Sequence, residues 1–362
     1  MIKVKFLGKH KRVRNMLVVL AMFVCTNICL GVSDIKEESV SQNDKKTIDQ
    51  LKKKAEQGNV EAQNKLDLMY DNGKGEEQDY KEAFNWLKKA AEQGDAKAQC
   101  YLGWTYLKGK EGVKQDYKEA INWFKKSAEQ GNARAQNSLG LMYHEGKGVK
   151  QDYKEAINWY KKSAEQGNAW AQYNLGVMYR EGKGAKQDYE EATSWYKKSA
   201  EQGNVEAQNN LGVMYHEGKG EEQDYKEAFN WFKKAAEQGN AWAQYNLGVM
   251  YREGKGAKQN YKEAFNWYEK SAEQGNAEAQ NNLGVMYYEG KGAKQDYEEA
   301  INWFKKAAEQ GNADAQYNLG VMYHEGKGVK QDYKEAINWF KKAAEQGHSG
   351  AKTALAKILE SK

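Results

Sequence analysis

The sequence predicts an all-α solenoid, and three observations carry that prediction. A 36-residue unit, typified by Asn312 to Gly347 (NADAQYNLGVMYHEGKGVKQDYKEAINWFKKAAEQG), recurs eight times in tandem. Copies begin at Asn59, Asp95, Asn132, Asn168, Asn204, Asn240, Asn276 and Asn312, and the copy from Asp95 carries one extra residue in its inner loop. Each unit holds two helical periodicities parted by glycines, and the chain of 362 residues contains no proline. A fixed period of this length marks a repeat array. Its units must stack, because neither helix of one unit can bury its apolar stripe alone.

Within the last copy, Ala315, Leu319, Gly320 and Tyr323 recur at helical spacing, predicting a first helix from Ala315 to about His324. Asn312 precedes it as N-cap, a role Asp95 fills in the second copy. Gly326 and Gly328 break the helix. Asp332 opens a second helix, with Glu335 three residues on as a capping box. Tyr333, Ala336, Ile337, Phe340 and Ala344 form its apolar stripe, Trp339 widens it, and Gly347 ends it. A glycine inside the first helix (Gly103, Gly140, Gly176, Gly212, Gly248, Gly284, Gly320) costs about 1 kcal/mol against alanine. Its recurrence predicts that another helix approaches too closely for a side chain. The first copy has Asp67 there instead.

The NLGVMY segment, the double-glycine loop, the QDYKEA start and the WFKKAAEQG finish resemble Sel-1-like repeats, relatives of the tetratricopeptide repeat. The resemblance spans Asn59 to Gly347. It implies a right-handed α/α superhelix of eight hairpins whose first helices line a concave face. Half-repeats flank the eight units. Residues 44–58 read as a lone second helix with Ile48, Leu51 and Ala55 at helical spacing, and residues 348–362 read as a ninth first helix that keeps Ala351 and Leu355.

Residues 1–33 differ from the rest. Lys3, Lys5, Lys9, Lys11, Arg12 and Arg14 precede an apolar run from Met16 to Cys25 that continues to Val32, with Gly31 and Ser33 as small residues. These are the parts of a secretory signal peptide; an uncleaved anchor over residues 16–32 is the alternative, weakened by Thr26 and Asn27. Val24 and Ile28 precede Cys25 and Cys29, which does not fit a lipoprotein acylation site. Residues 34–43 read as a polar spacer. The expected location is therefore periplasmic or secreted, with membrane contact only through the N-terminal segment if it is retained.

Six of the 56 basic residues and none of the 51 acidic ones fall in residues 1–33, leaving 50 against 51 in the remainder. The basicity belongs to the export signal, so no nucleic-acid partner is expected. Lysine pairs such as Lys341 and Lys342, followed by a glutamate, read as a solvated helix face. Beyond residue 33 Cys100 stands alone, so stability must come from stacking. The cysteine-rich Sel-1-like proteins, for which β-lactam binding or hydrolysis has been proposed, carry cysteine pairs that this chain lacks.

In the tetratricopeptide analogy the concave face is shown by the positions of Asp314, Tyr317, Val321 and His324, which share one helical face. Three of these positions vary most between copies. The first reads Glu61, Lys97, Arg134, Trp170, Glu206, Trp242, Glu278, Asp314. The second reads Asn64, Cys100, Asn137, Tyr173, Asn209, Tyr245, Asn281, Tyr317. Trp170 with Tyr173 and Arg180, and Trp242 with Tyr245 and Arg252, form two matching stations of the residue types that dominate binding hot spots. Asn174, Asn210, Asn246, Asn282 and Asn318 run beside them, where the analogy implies hydrogen bonds to an extended peptide. Packing of the two tryptophans on the preceding repeat is the competing reading. Residues 168–239 and 240–311 differ at only 11 of 72 positions, so a recent duplication also accounts for the matching stations.

No enzyme constellation emerges. His144, His216, His324 and His348 lie in different repeats or caps, there is no CxxC or GxSxG, and the GKG loops lack the spacing of a phosphate loop. No metal or cofactor is expected. The sequence points to a non-catalytic scaffold binding protein or peptide; a cell-wall peptide or β-lactam binding or hydrolysing protein is the alternative.

Overall fold

A computed structural model describes residues 42–73, 78–109 and 112–360, and the elements among these are all helices. The leader and most of the spacer lie outside the described residues, while Gln42 and Asn43 already belong to the first helix. The chain divides into two compact units, the division falling between Gln202 and Gly203 in the sequence. The N-terminal unit holds α1 (Gln42–Glu56), α2 (Val60–Asn72), α3 (Tyr80–Glu92), α4 (Ala96–Lys108), α5 (Tyr117–Glu129), α6 (Ala133–Glu145), α7 (Tyr153–Glu165), α8 (Ala169–Glu181) and α9 (Tyr189–Glu201). The C-terminal unit holds α10 (Val205–Glu217), α11 (Tyr225–Glu237), α12 (Ala241–Glu253), α13 (Tyr261–Glu273), α14 (Ala277–Glu289), α15 (Tyr297–Glu309), α16 (Ala313–Glu325), α17 (Tyr333–Glu345) and α18 (Ser349–Glu360). Each hairpin is a first helix paired with the second helix that follows it.

Both helices start on a side-chain cap. Asn312 Oδ1 accepts from Ala315 N at 2.8 Å, and Asp332 Oδ1 accepts from Lys334 N and Glu335 N at 2.9 and 3.0 Å. The reciprocal half of the capping box is not made. Asp332 N–H instead donates to the Tyr323 carbonyl at 2.9 Å, which ties the end of one helix to the start of the next. The loop between them needs two glycines for two reasons. Gly326 ends α16 at φ 71°, a left-handed conformation that side chains resist. Gly328 faces the preceding hairpin, where a Cβ would run into the Tyr297 carbonyl oxygen.

The mid-helix glycines are explained by a ring. A Cβ on Gly320 would lie 2.6 Å from the Phe340 ring, and one on Gly140 would lie 2.6 Å from the Tyr160 ring. The neighbour is thus an aromatic side chain of the same hairpin, packed flat on bare backbone. The first copy confirms the pairing by exception: Asp67 replaces the glycine and Leu87 replaces the ring.

Polar bonds then stitch successive units. Gln136 Nε2 donates to the Ala128 carbonyl of the preceding hairpin at 3.1 Å, and its Oε1 accepts from Gln166 Nε2 at 2.7 Å. Gln244 does the same with Ala236 and Gln274, at 3.2 and 2.7 Å. One buried amide therefore joins three helices, and burial makes each such bond costly to lose.

In the last copy the second-helix stripe is narrower than expected, although Ile301 and Ala308, its equivalents one copy earlier, are buried. Ala336, Phe340 and Ala343 are buried, whereas Ile337 and Ala344 are half-buried and Tyr333 is 53 % exposed. The lysine pairs are also not a bare solvated face. The second lysine of each pair lies over the indole three residues before it, as Lys306 does over Trp303 and Lys342 over Trp339, both at 3.8 Å. Such a contact contributes roughly 0.5–1 kcal/mol at an exposed site.

Candidate recognition face

The variable positions lie on the first helices, and the structure brings both predicted stations together locally. In α8 the Trp170 ring meets Tyr173 edge-on at 6.1 Å, and Tyr173 meets Tyr196 of α9 at 6.0 Å. In α12 the Trp242 ring meets Tyr245 at 6.0 Å, and Tyr245 meets Tyr268 of α13 at 6.0 Å. Trp170 and Trp242 are both half-buried, so neither indole is sealed inside the stack.

The cations behave differently from the expectation. Arg180 is only 10 % exposed and its Nη2 donates to Glu181 Oε1 at 3.0 Å. Glu181 also holds Lys183 at 2.6 Å. Burial alone would raise the Glu181 carboxyl, but Lys183 and the Arg180 guanidinium outweigh it and hold the carboxyl below its ordinary range. Arg180 is thus an internal strut beneath the aromatic pair. Arg252 is looser, 26 % exposed, with Nη2 at 3.4 Å from Glu253 Oε1.

The asparagines are a correction. Asn174 Nδ2 donates to Asn137 Oδ1 at 3.1 Å, Asn246 to Asn209 at 2.9 Å and Asn318 to Asn281 at 2.9 Å. Each amide binds the preceding first helix, so these groups serve stacking before they serve a ligand. Asn210, Asn246, Asn282 and Tyr245 are buried and offer no surface. Burial first, then the Tyr268 and Glu278 charges, pushes the Tyr245 phenol far above its ordinary value. Asn174, Asn318 and Tyr173 remain half-buried. Tyr317 is roofed by the C-terminal helix: His348 stacks on it at 4.6 Å and reaches Asp314 at 3.3 Å.

Two things were missed. The bonds from Asn174, Asn246 and Asn318 fall where the preceding helix has Asn137, Asn209 or Asn281 rather than tyrosine, an alternation visible in the sequence. The carboxylates Glu206 and Glu278 share the position of the tryptophans in α10 and α14. Burial raises the Glu206 carboxyl, and no neighbouring cation offsets it. Among the described residues no group of three or more His, Cys, Asp or Glu is placed to hold a metal ion.

The Sel1 repeat family model matches residues 60–95, 96–132, 133–168, 171–204, 205–240, 243–276, 277–312 and 313–348. Among solved structures the chain is similar to c5321, a protective antigen present in uropathogenic Escherichia coli strains that displays an SLR fold. The likeness has 42 % identity and a TM-score of 0.79, over 86 % of this chain and 67 % of that one. It is also similar to a Sel1 repeat protein from Oxalobacter formigenes, with 34 % identity and a TM-score of 0.65, over 92 % of this chain and 99 % of that one. No protein of curated function matches it. With eight matched units and the hairpin stack to go with them, the chain belongs to the Sel1 repeat family.

Proposed function

We propose that this chain is a non-catalytic, exported scaffold that binds a protein or peptide through the face of its first helices. Sel1-repeat solenoids generally act as protein-interaction scaffolds. The observation that carries the finer reading is the half-exposure of Trp170 and Trp242 on a face whose residues vary from copy to copy. Tryptophan at a partly covered, well-packed position is the commonest anchor of a protein interface. Each unit then carries its own recognition set: Trp170 and Tyr173 with Asn174 at the margin in the N-terminal unit, and Trp242 and Arg252 with Tyr317 and Asn318 at the margin in the C-terminal unit. Export rests on the basic and apolar pattern of residues 1–33, and it places the partner in the periplasm or outside the cell.

The test is affinity capture on the purified protein from an envelope extract, with partners identified by mass spectrometry. Capture is repeated with Trp170→Ala and Trp242→Ala combined. Loss of a defined partner with helicity retained supports the reading, and undiminished capture of every partner removes this face. N-terminal sequencing of the exported protein tests the leader, with a start near Asp34 expected.

A further inference from the structure

We propose that His348 is an acid-sensitive helix cap, whose protonation loosens the first turn of α18, the turn that covers Tyr317. The uncapping stands on geometry alone. Its use, opening the face of the first helices to a partner, rests on the scaffold reading above.

Each of the eight earlier first helices starts on an asparagine or aspartate oxygen. The last one departs from them: the Ala351 N–H of α18 donates to His348 Nδ1 at 3.1 Å. A ring nitrogen that accepts carries no proton, so the neutral imidazole keeps its hydrogen on Nε2. That nitrogen lies 3.3 Å from Asp314 Oδ1. A flipped ring would set a carbon against each partner, so the two contacts fix one orientation. An amide or carboxylate oxygen goes on accepting in mild acid. An imidazolium donates from both nitrogens and has no lone pair left for the Ala351 amide.

The turn held by this cap lies on Tyr317. The His348 ring stacks on the phenol at 4.6 Å and 22°. A Cβ on Gly350 would come within 3.3 Å of the same ring. Protonation sets one N–H against another at Ala351, and adds positive charge at the positive end of the α18 dipole. Two contacts pull the other way. Asp314 attracts the imidazolium, but its side chain is 66 % exposed, so the pair is screened. The Tyr317 ring also favours a cation. Both contacts hold the imidazole to α16, and neither gives the α18 amide an acceptor. Of the charged groups nearest on the other packed elements, Glu345 of α17 and Lys352 of α18 are exposed to solvent. Ala351 stays buried with Ala336, Phe340 and Ala343, so the helix remains docked while its first turn frays.

The experiment follows amide hydrogen exchange by mass spectrometry in the peptide spanning α18, using the full chain without a partner. Exchange is compared at about pH 7.5 and about pH 5.5, on either side of the ordinary histidine range, with intrinsic rates corrected. In the parent, protection of the first turn is expected to fall about fivefold in acid. His348→Asn, which restores the cap of the earlier helices, is expected to match the parent at the higher pH and to keep that protection at the lower. Asp314→Asn is expected to deepen the acid loss. Acid effects arising elsewhere, at His216 included, appear equally in the parent and in His348→Asn. Protection that holds or rises in the acidified parent, or an equal loss in His348→Asn, overturns the proposal. Either result leaves the recognition face to be judged by capture. Fraying with partner capture unchanged over the same pH range keeps the cap and removes its use at the face.

Discussion

Gly248 lies against the ring of Tyr268, so closely that a Cβ there would sit 2.7 Å from the ring carbons Cδ1 and Cε1. The contact is between bare helix backbone and a fully buried ring, which has no room to retreat. Gly248→Ala improves helix propensity by about 1 kcal/mol, yet overpacking a filled core costs about 1–3 kcal/mol. A net destabilisation of up to about 2 kcal/mol is expected in urea unfolding. Adding Tyr268→Leu to that variant, the combination that nature approximates at Leu87, is expected to remove the overlap. Failure of the second change to relieve any of the loss would refute the ring as its cause.

Gln244 is the amide that links α11, α12 and the end of α13. Gln244→Met keeps its shape but removes both bonds, leaving the Ala236 carbonyl with the Gly239 N–H at 3.0 Å and Gln274 Nε2 with the Lys270 carbonyl at 3.5 Å. A loss of about 1–3 kcal/mol is expected. A change within error would mean that water replaces the bonds at no cost.

Glu206 carries a pH signature. Its folded carboxyl is raised above the unfolded value of 4.5, chiefly by burial. A raised acid contributes stability that is fully present below the unfolded value and is lost as pH rises through the folded one. Glu206→Gln is therefore expected to raise the melting temperature at pH 7 relative to the parent, and to give a smaller gain at pH 4. A gain independent of pH would separate the effect from ionisation.

His216 has the opposite slope. Burial, then the Lys255 charge, lowers its imidazole below the ordinary value of 6.5. Stability from keeping it neutral is present above that value and is lost as pH falls through the folded one. His216→Gln is expected to flatten the stability profile on the acid side of neutrality, as followed by thermal melts between pH 7 and pH 5. An unchanged profile would put the acid sensitivity elsewhere.

Much of the fold was legible because its determinants are local. Asn312 and Asp332 cap helices within three residues of themselves, and Gly326 breaks one within its own turn. The asparagines were misread because their partners sit 37 residues away: Asn246 looks like a ligand donor until Asn209 is set beside it. Arg180 was misplaced for the same reason, since its burial depends on α9 and on the aromatic pair above it. The stacking of Lys342 on Trp339 was in plain view at helical spacing, and was overlooked because a lysine pair reads first as solubility. Trp170 and Trp242 were read as stations of a groove, with packing on the preceding repeat as the competing reading; both are half-buried, and a partner for them is a property of another molecule.

The proposed surface of recognition is the face of the first helices. Hydrogen–deuterium exchange of the chain, alone and with its captured partner, tests that most directly. The expected result is slower exchange on partner binding at α8 and α12, around Trp170 and Trp242, with the GKG loops and the lysine-over-tryptophan side of the second helices unchanged. Protection confined to those loops or to the second helices would contradict the account.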